Sequence, residues 1–231
     1  MLKRISLIIL SIFLVISLSL SIYISMDMKN WEIFDPNKLE DLSQSTIVYD
    51  ANDAKIIDVH GIQNRISISI DEVPDHVKNA FIAVEDVRFY SHNGIDIRRM
   101  FGALAKNLRS RSYAQGASTI TQQVVRNSHL TMKKTMSRKL QEIYLALILD
   151  RRYSKNQILQ TYLNIIYFGK GAYGVEAASN IYFDKSAKDL TVAEGCLLAG
   201  IPKNPSRYSP FANIDAALKR KDLIVDLMVK H

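Results

Sequence analysis

The stretch Glu85-Asp86-Val87-Arg88-Phe89-Tyr90-Ser91-His92-Asn93-Gly94 decides how the rest of the chain is read. Upstream of it, Pro74 suits a first helical turn, and Val77, Ala80, Phe81 and Val84 recur at the spacing of one helix face. That pattern predicts a short amphipathic helix with its apolar stripe turned inward. Glu85 and Asp86 fall at its last turn, where the negative end of the helix dipole disfavours further negative charge. A carboxylate so placed is expected to hold its proton more tightly than usual, which suits a general base working near neutral pH. The competing reading is a solvated, frayed helix end beside a turn at Asn93-Gly94.

Composition narrows the options. The chain has 231 residues, 48% of them hydrophobic, enough for one ordinary domain with a sizeable core plus an appendage. Its formal charge of +7 suits an anionic partner such as nucleic acid, anionic lipid or a phosphorylated substrate. Cys196 is the single cysteine, which excludes an internal disulfide framework and a cysteine-built metal site. It reads as a small buried hydrophobe.

Residues 5–26 form an apolar run broken only by serines, just long enough to span a hydrocarbon core of roughly 30 Å. Lys3 and Arg4 precede it and Asp27 follows, so the positive-inside bias places residues 1–4 in the cytoplasm. Tyr23 and Trp31 are placed near the outer interface. The rival, a cleaved signal peptide, lacks a clear small-x-small site here. Residues 27–45 are polar and read as an extracytoplasmic spacer, leaving residues 46–231 as the domain. On this topology the basic surface lies outside the cytoplasm, which excludes a nucleic-acid partner.

Within the domain, Thr46–Asp50, Lys55–Val59 and Arg65–Ile70 are expected as short strands, with a turn at Ala51-Asn52-Asp53. Helical signals then dominate. Ile97, Met100, Phe101, Leu104 and Leu108 make an apolar face among Arg98, Arg99, Lys106, Arg109 and Arg111, which fits either a membrane-surface helix or a core-facing one. A loop over 110–116 leads into Gly116-Ala117-Ser118-Thr119-Ile120-Thr121-Gln122-Gln123. There Thr119 and Gln122 fit a capping box, whose helix N-terminus suits an anion, with Arg126 about two turns on. Met136–Asp150 carries a stripe of Leu140, Ile143, Tyr144, Leu147 and Ile148. Leu145 and Leu149 lie opposite it with Arg138 and Glu142, so the helix is expected to run through the domain and bury Glu142, which then requires a partner. Further helices are expected over Lys155–Phe168, Val175–Tyr182 and Thr191–Ile201, and near the C-terminus over Asp222–His231.

These motifs closely resemble the peptidoglycan glycosyltransferase domain, family 51, of monofunctional transglycosylases and class A penicillin-binding proteins. Glu85–Gly94 matches EDxxFxxHxG, Gly116–Gln123 matches GxSTITQQ, and Arg138-Lys139-Leu140-Gln141-Glu142 matches RKxxE. Ile158–Phe183 and Leu190–Pro210 follow the remaining two motif blocks. The likeness covers roughly residues 45–228. Lys134 departs from the arginine of many relatives, Gln160 from a glutamate, and Asp184 from a glycine. The chain end suits a monofunctional enzyme and a shortened bifunctional one alike.

The resemblance implies a mostly α, lysozyme-like two-lobed fold with a small β region near its N-terminus and one transmembrane helix. It implies polymerisation of lipid II into glycan strands at the outer face of the bacterial cytoplasmic membrane, inverting at C1 of the donor N-acetylmuramic acid with release of undecaprenyl diphosphate. Glu85 matches the base, and Glu142 the second catalytic glutamate. Asp86, Phe89, His92, Gly94, Ser118, Thr119, Gln122 and Gln123 match substrate-binding positions. Arg126, Lys134, Arg138 and Lys139 are the candidate cations for the diphosphate. Glu142 could orient them or help hold Mg2+ or Mn2+ there. Partners implied are lipid II, the growing strand, the membrane, transpeptidases and other cell-wall synthesis proteins. The alternatives are a lysozyme-like lytic transglycosylase or muramidase, which needs no diphosphate cations, and a non-catalytic membrane scaffold, which needs neither glutamate.

Overall fold

A computed structural model describes residues 33–40, 46–49, 55–59, 64–110, 117–130 and 135–231, with isolated positions before Ile33. Apart from such positions the expected anchor lies outside the described residues, as do Gly116 and Lys134. Among the described residues no helix is long and apolar enough to cross a membrane.

The domain is mostly helical. Its helices are α1 (Asn37–Glu40), α2 (Asp75–Glu85), α3 (Ile97–Ser110), α4 (Ile120–Ser128), α5 (Met136–Arg152), α6 (Lys155–Ile165), α7 (Val175–Phe183), α8 (Val192–Gly200), α9 (Pro205–Tyr208) and α10 (Ile214–Lys230). Pro74 caps α2, and the expected face is buried at Val77, Ala80 and Phe81. Reciprocal capping boxes start α4 at Thr119/Gln122, α6 at Ser154/Gln157 and α8 at Thr191/Glu194. In each, two side-chain oxygens accept from backbone N–H groups that the first helical turn leaves unpaired. Helix α4 packs on α5 and α6, while α8 packs on α2 and α10. Phe81 joins these halves, meeting Tyr162 and Phe168 edge-on at centroid distances of 6.2 and 6.0 Å. Cys196 is buried, as expected.

Strands β1 (Thr46–Tyr49) and β2 (Lys55–Val59) pair antiparallel, with Thr46 opposite Val59. The third expected strand is largely absent. Only Asn64–Arg65 forms β3, pairing parallel with β5 (Ala172–Tyr173), which also pairs antiparallel with β4 (Tyr167–Gly169). The reason is that α6 side chains take the place of a partner strand. Ile68 N donates to Asn164 Oδ1, Asn164 Nδ2 returns a bond to Ile68 O, both at 3.0 Å, and Ile70 N donates to Gln160 Oε1 at 2.9 Å. The expected helix over Lys155–Phe168 therefore ends at Ile165, and its last residues turn into β4.

Helix α5 also departs from expectation. Both of its faces are expected to be covered; the face with Gln141, Glu142, Leu145, Ala146 and Leu149 is buried, as expected for Glu142, whereas Tyr144 on the other is exposed. The side facing α4 wins because Leu145 and Leu149 reach the core. Residues 33–40, read from sequence as spacer, lie against the domain through Phe34, which stacks on His129 at 5.1 Å.

Gly94 sits where the motif loop crosses α5. Its φ is +82°, and a Cβ there would stand 2.5 Å from Ala146 O. Gly102, inside α3, has nothing within 4 Å of an added Cβ. Gly94→Ala should therefore lower unfolding free energy by about 2 kcal/mol or more, while Gly102→Ala should raise it by up to about 1 kcal/mol. Urea denaturation of the two variants in detergent checks both signs.

Candidate functional site

The site forms where the end of α2 meets the starts of α3 and α4. Asp86 joins them. Its carboxylate is 1% exposed, and Oδ2 accepts from Ile120 N at 3.0 Å and from His92 Nε2 at 2.9 Å. The anion expected at the α4 N-terminus is thus the protein's own carboxylate. Thr119 Oγ1 donates to Gly94 O at 2.6 Å, closing the loop from its other side. Phe89 is fully buried, and Lys155 Nζ lies 4.8 Å over its ring while donating to His92 O at 2.6 Å. Asp86, Phe89, Gly94, Thr119 and Gln122 are all buried, and His92 is nearly so, which makes them the frame of the motif loop.

On that frame Glu85 is half-buried at the last position of α2. Gln123 Nε2 donates to Glu85 Oε2 at 2.8 Å, and Gln123 Oε1 accepts from Arg126 at 3.4 Å. One amide therefore links the candidate base to the first candidate cation. Arg99 donates to the backbone carbonyl of Glu85, satisfying a group that a helix C-terminus otherwise leaves open. Tyr162 lies beneath, with a fully buried hydroxyl that has no hydrogen-bond partner among the described residues. Burial pushes this phenol well above its ordinary value, and the neighbouring Glu85 charge adds to the rise.

Glu142 has the partners its burial demands. It is 1% exposed, Oε2 accepts from Arg138 at 3.2 Å, and Oε1 accepts from Lys139. Lys139 Nζ also donates to Ser118 Oγ at 2.9 Å, so Ser118, Arg138, Lys139 and Glu142 form one connected group. The donors beside Glu142 do not fit a divalent ion. Both carboxylate oxygens face cations, and among the described residues no three His, Cys, Asp or Glu side chains cluster to hold a metal.

Asp96, Arg99, Lys155 and Tyr162 are site neighbours that sequence reasoning missed. Asp96 had a local signal, an Asp just before the apolar run that starts at Ile97. Its Oδ1 accepts from Arg99 N at 2.8 Å, and its Oδ2 accepts from Arg88 Nε at 2.9 Å. Burial pushes this carboxyl's pKa up, yet the Arg99 amide and Arg88 guanidinium outweigh it and hold it below the ordinary value.

A folded-state pKa below the unfolded one gives stability that is complete above the ordinary value of about 4 and fades as pH falls below it. Asp96→Asn should flatten that acid limb, read as a smaller drop in melting temperature between neutral pH and pH 3. Glu142→Ala should cost about 3 kcal/mol of stability by leaving Arg138 and Lys139 uncompensated. Adding Arg138→Met should recover part of it in denaturant titrations.

A family described as transglycosylase matches residues 53–229. Penicillin-binding protein 1A/1B of Bacillus subtilis is 48% identical over 198 residues, 85% of this chain and 21% of that protein. Penicillin-binding protein 1F of Bacillus subtilis is 44% identical over 206 residues, covering 89% of this chain and 29% of the relative. Penicillin-binding protein 1A of Aquifex aeolicus is 43% identical over 199 residues, covering 85% and 27%. The chain thus spans less than a third of each of these relatives.

Proposed function

This chain belongs to the transglycosylase family, and from that premise we infer that it polymerises lipid II into glycan strands. The observation that carries the reading is the Glu85–Gln123–Arg126 chain, which places a carboxylate base one amide away from a cation. Gln123 holds Glu85 Oε2, leaving Oε1 to take the proton of an acceptor sugar hydroxyl. As the proton leaves, that oxygen attacks the donor anomeric carbon from the face opposite the diphosphate, which departs with the bonding electrons. Arg126, Arg138 and Lys139 offset its growing charge, the two arginines with forked donors suited to phosphate. Glu142 acts through Arg138 and Lys139, keeping both side chains in place. Lys134, outside the described residues, is expected to add a further charge.

In this reading residues 5–26 anchor the chain in the bacterial cytoplasmic membrane, with residues 46–231 outside it in a two-lobed, lysozyme-like domain. Exposed Ile97 and Phe101 among the arginines of α3 support a second contact with an anionic lipid surface. Connected cations around Glu142 favour chemistry with a diphosphate leaving group over glycan cleavage.

Glu85→Gln keeps shape and loses the proton acceptor, so glycan polymerisation from lipid II should fall below detection while the melting temperature holds. A Gln variant that retains a tenth of the wild-type rate would remove Glu85 from the role of base. Arg126→Ala should slow turnover by about ten- to hundredfold, the loss of one charge-assisted phosphate contact. Gel sizing of the glycan product reads both.

A further inference from the structure

The first turn of α3 is fastened to the end of α2 and to the motif loop. Asp96, just before that turn, accepts from Arg99 N at Oδ1 at 2.8 Å, and its backbone oxygen accepts from Met100 N at 2.9 Å. The same carboxylate is 2% exposed and holds Arg88 of the motif loop. Arg99 then reaches across, donating to the backbone oxygen of Glu85 and standing 3.9 Å from Asp86 Oδ1. One guanidinium therefore meets both the residue that carries the candidate base and the carboxylate that caps α4.

That turn also carries an exposed apolar face. Ile97 is 57% exposed and Phe101, one turn on, is 68% exposed, with exposed Arg98 and Lys106 on the same helix. Both apolar residues border a cavity of about 430 Å³ that Ser118, Gln122 and Lys139 also line, so this face adjoins the site. Arg99, two residues from each, lies on the opposite side of the helix. Residues within one hydrogen-bonded turn move together. Whatever orients Ile97 and Phe101 therefore orients Arg99.

A carbonyl in the last turn of a helix has no partner within that helix, so its hydrogen bond comes from outside. At Glu85 the donor comes from α3. We propose that Arg99 is a positioning residue, through which an anionic lipid surface touching Ile97 and Phe101 sets the orientation of Glu85. The proposal rests on the lipid-surface contact of α3 and on the role of Glu85 as base. Arg99 touches no reacting atom. Its loss should slow the chemical step on a membrane and leave substrate capture in place.

The first test needs no turnover. The full chain is reconstituted into vesicles of phosphatidylcholine with or without phosphatidylglycerol, and amide hydrogen exchange is followed by mass spectrometry. In wild type, phosphatidylglycerol should slow exchange in residues 97–104 and also in residues 82–87. Arg99→Met should keep the slowing in α3 and lose more than half of it at residues 82–87. A variant that keeps half or more overturns the coupling, as does a wild type that slows in α3 alone. Ile97→Ser with Phe101→Ser leaves Arg99 in place and should lose the slowing in both segments; slowing that persists at residues 82–87 also overturns it. Exchange in α3 that ignores phosphatidylglycerol in wild type removes the lipid contact, and the coupling with it.

The second test is kinetic. In wild type, phosphatidylglycerol should raise kcat for glycan polymerisation about fivefold or more, and Arg99→Met should gain less than about twofold, with KM within about twofold of wild type. An equal gain in both proteins, or a change confined to KM, overturns the positioning role. A wild-type chain that makes no glycan sinks the lipid II reading instead, and the exchange data still decide whether Arg99 joins the lipid face to residues 82–87.

Discussion

The bond from Ile120 N to the buried Asp86 carboxylate is the constraint on which the site depends. It joins the end of α2 to the start of α4, and these two elements carry Glu85 and Gln123. Because Asp86 also accepts from His92, the loop between them is drawn back over the same carboxylate. The helix dipole explains why this works. A carboxylate that would be unfavourable at the end of its own helix is stabilised by the positive start of another. Adjacent acidic residues thus separate into two jobs, with Asp86 turned inward as a cap and Glu85 left at the opening.

Charge is distributed by the same logic. Glu142, buried in α5, compensates Arg138 and Lys139, which keeps two cations together without an outside anion. Arg126 is tethered through Gln123, and Arg99 and Arg88 are held by backbone and by Asp96. The cations nearest the site are therefore oriented before any ligand arrives. Such preorganisation lowers the cost of gathering charge around a leaving group.

Much of the helical framework was legible in the sequence. The apolar spacing around Val77 and Phe81 marked α2, and Thr119/Gln122 marked the start of α4, because caps and faces are short-range properties. The need of Glu142 for partners also followed from residue type and position. Misreadings arose where distant groups compete for the same backbone or face. Residues 65–70 alternate like a strand, yet Asn164 and Gln160 supply their hydrogen bonds from positions 96 and 90 residues away. Similarly, two apolar faces of α5 competed, and contact with α4 selected the one bearing Leu145 and Leu149.

The sequence by itself determined helices α2 to α8 in outline, and which side chains carry acid, base and positive charge. Periodicity, capping and ionisation are properties of a residue and its near neighbours. Only the tertiary structure decided which carboxylate caps and which stays open, that Lys155 clamps the motif loop, and that Arg207 and Arg220 share one tyrosine ring. Those outcomes depend on which groups meet after the chain folds back on itself. Burial then fixes their hydrogen-bond partners, because a polar group removed from water is stable only beside another that answers it.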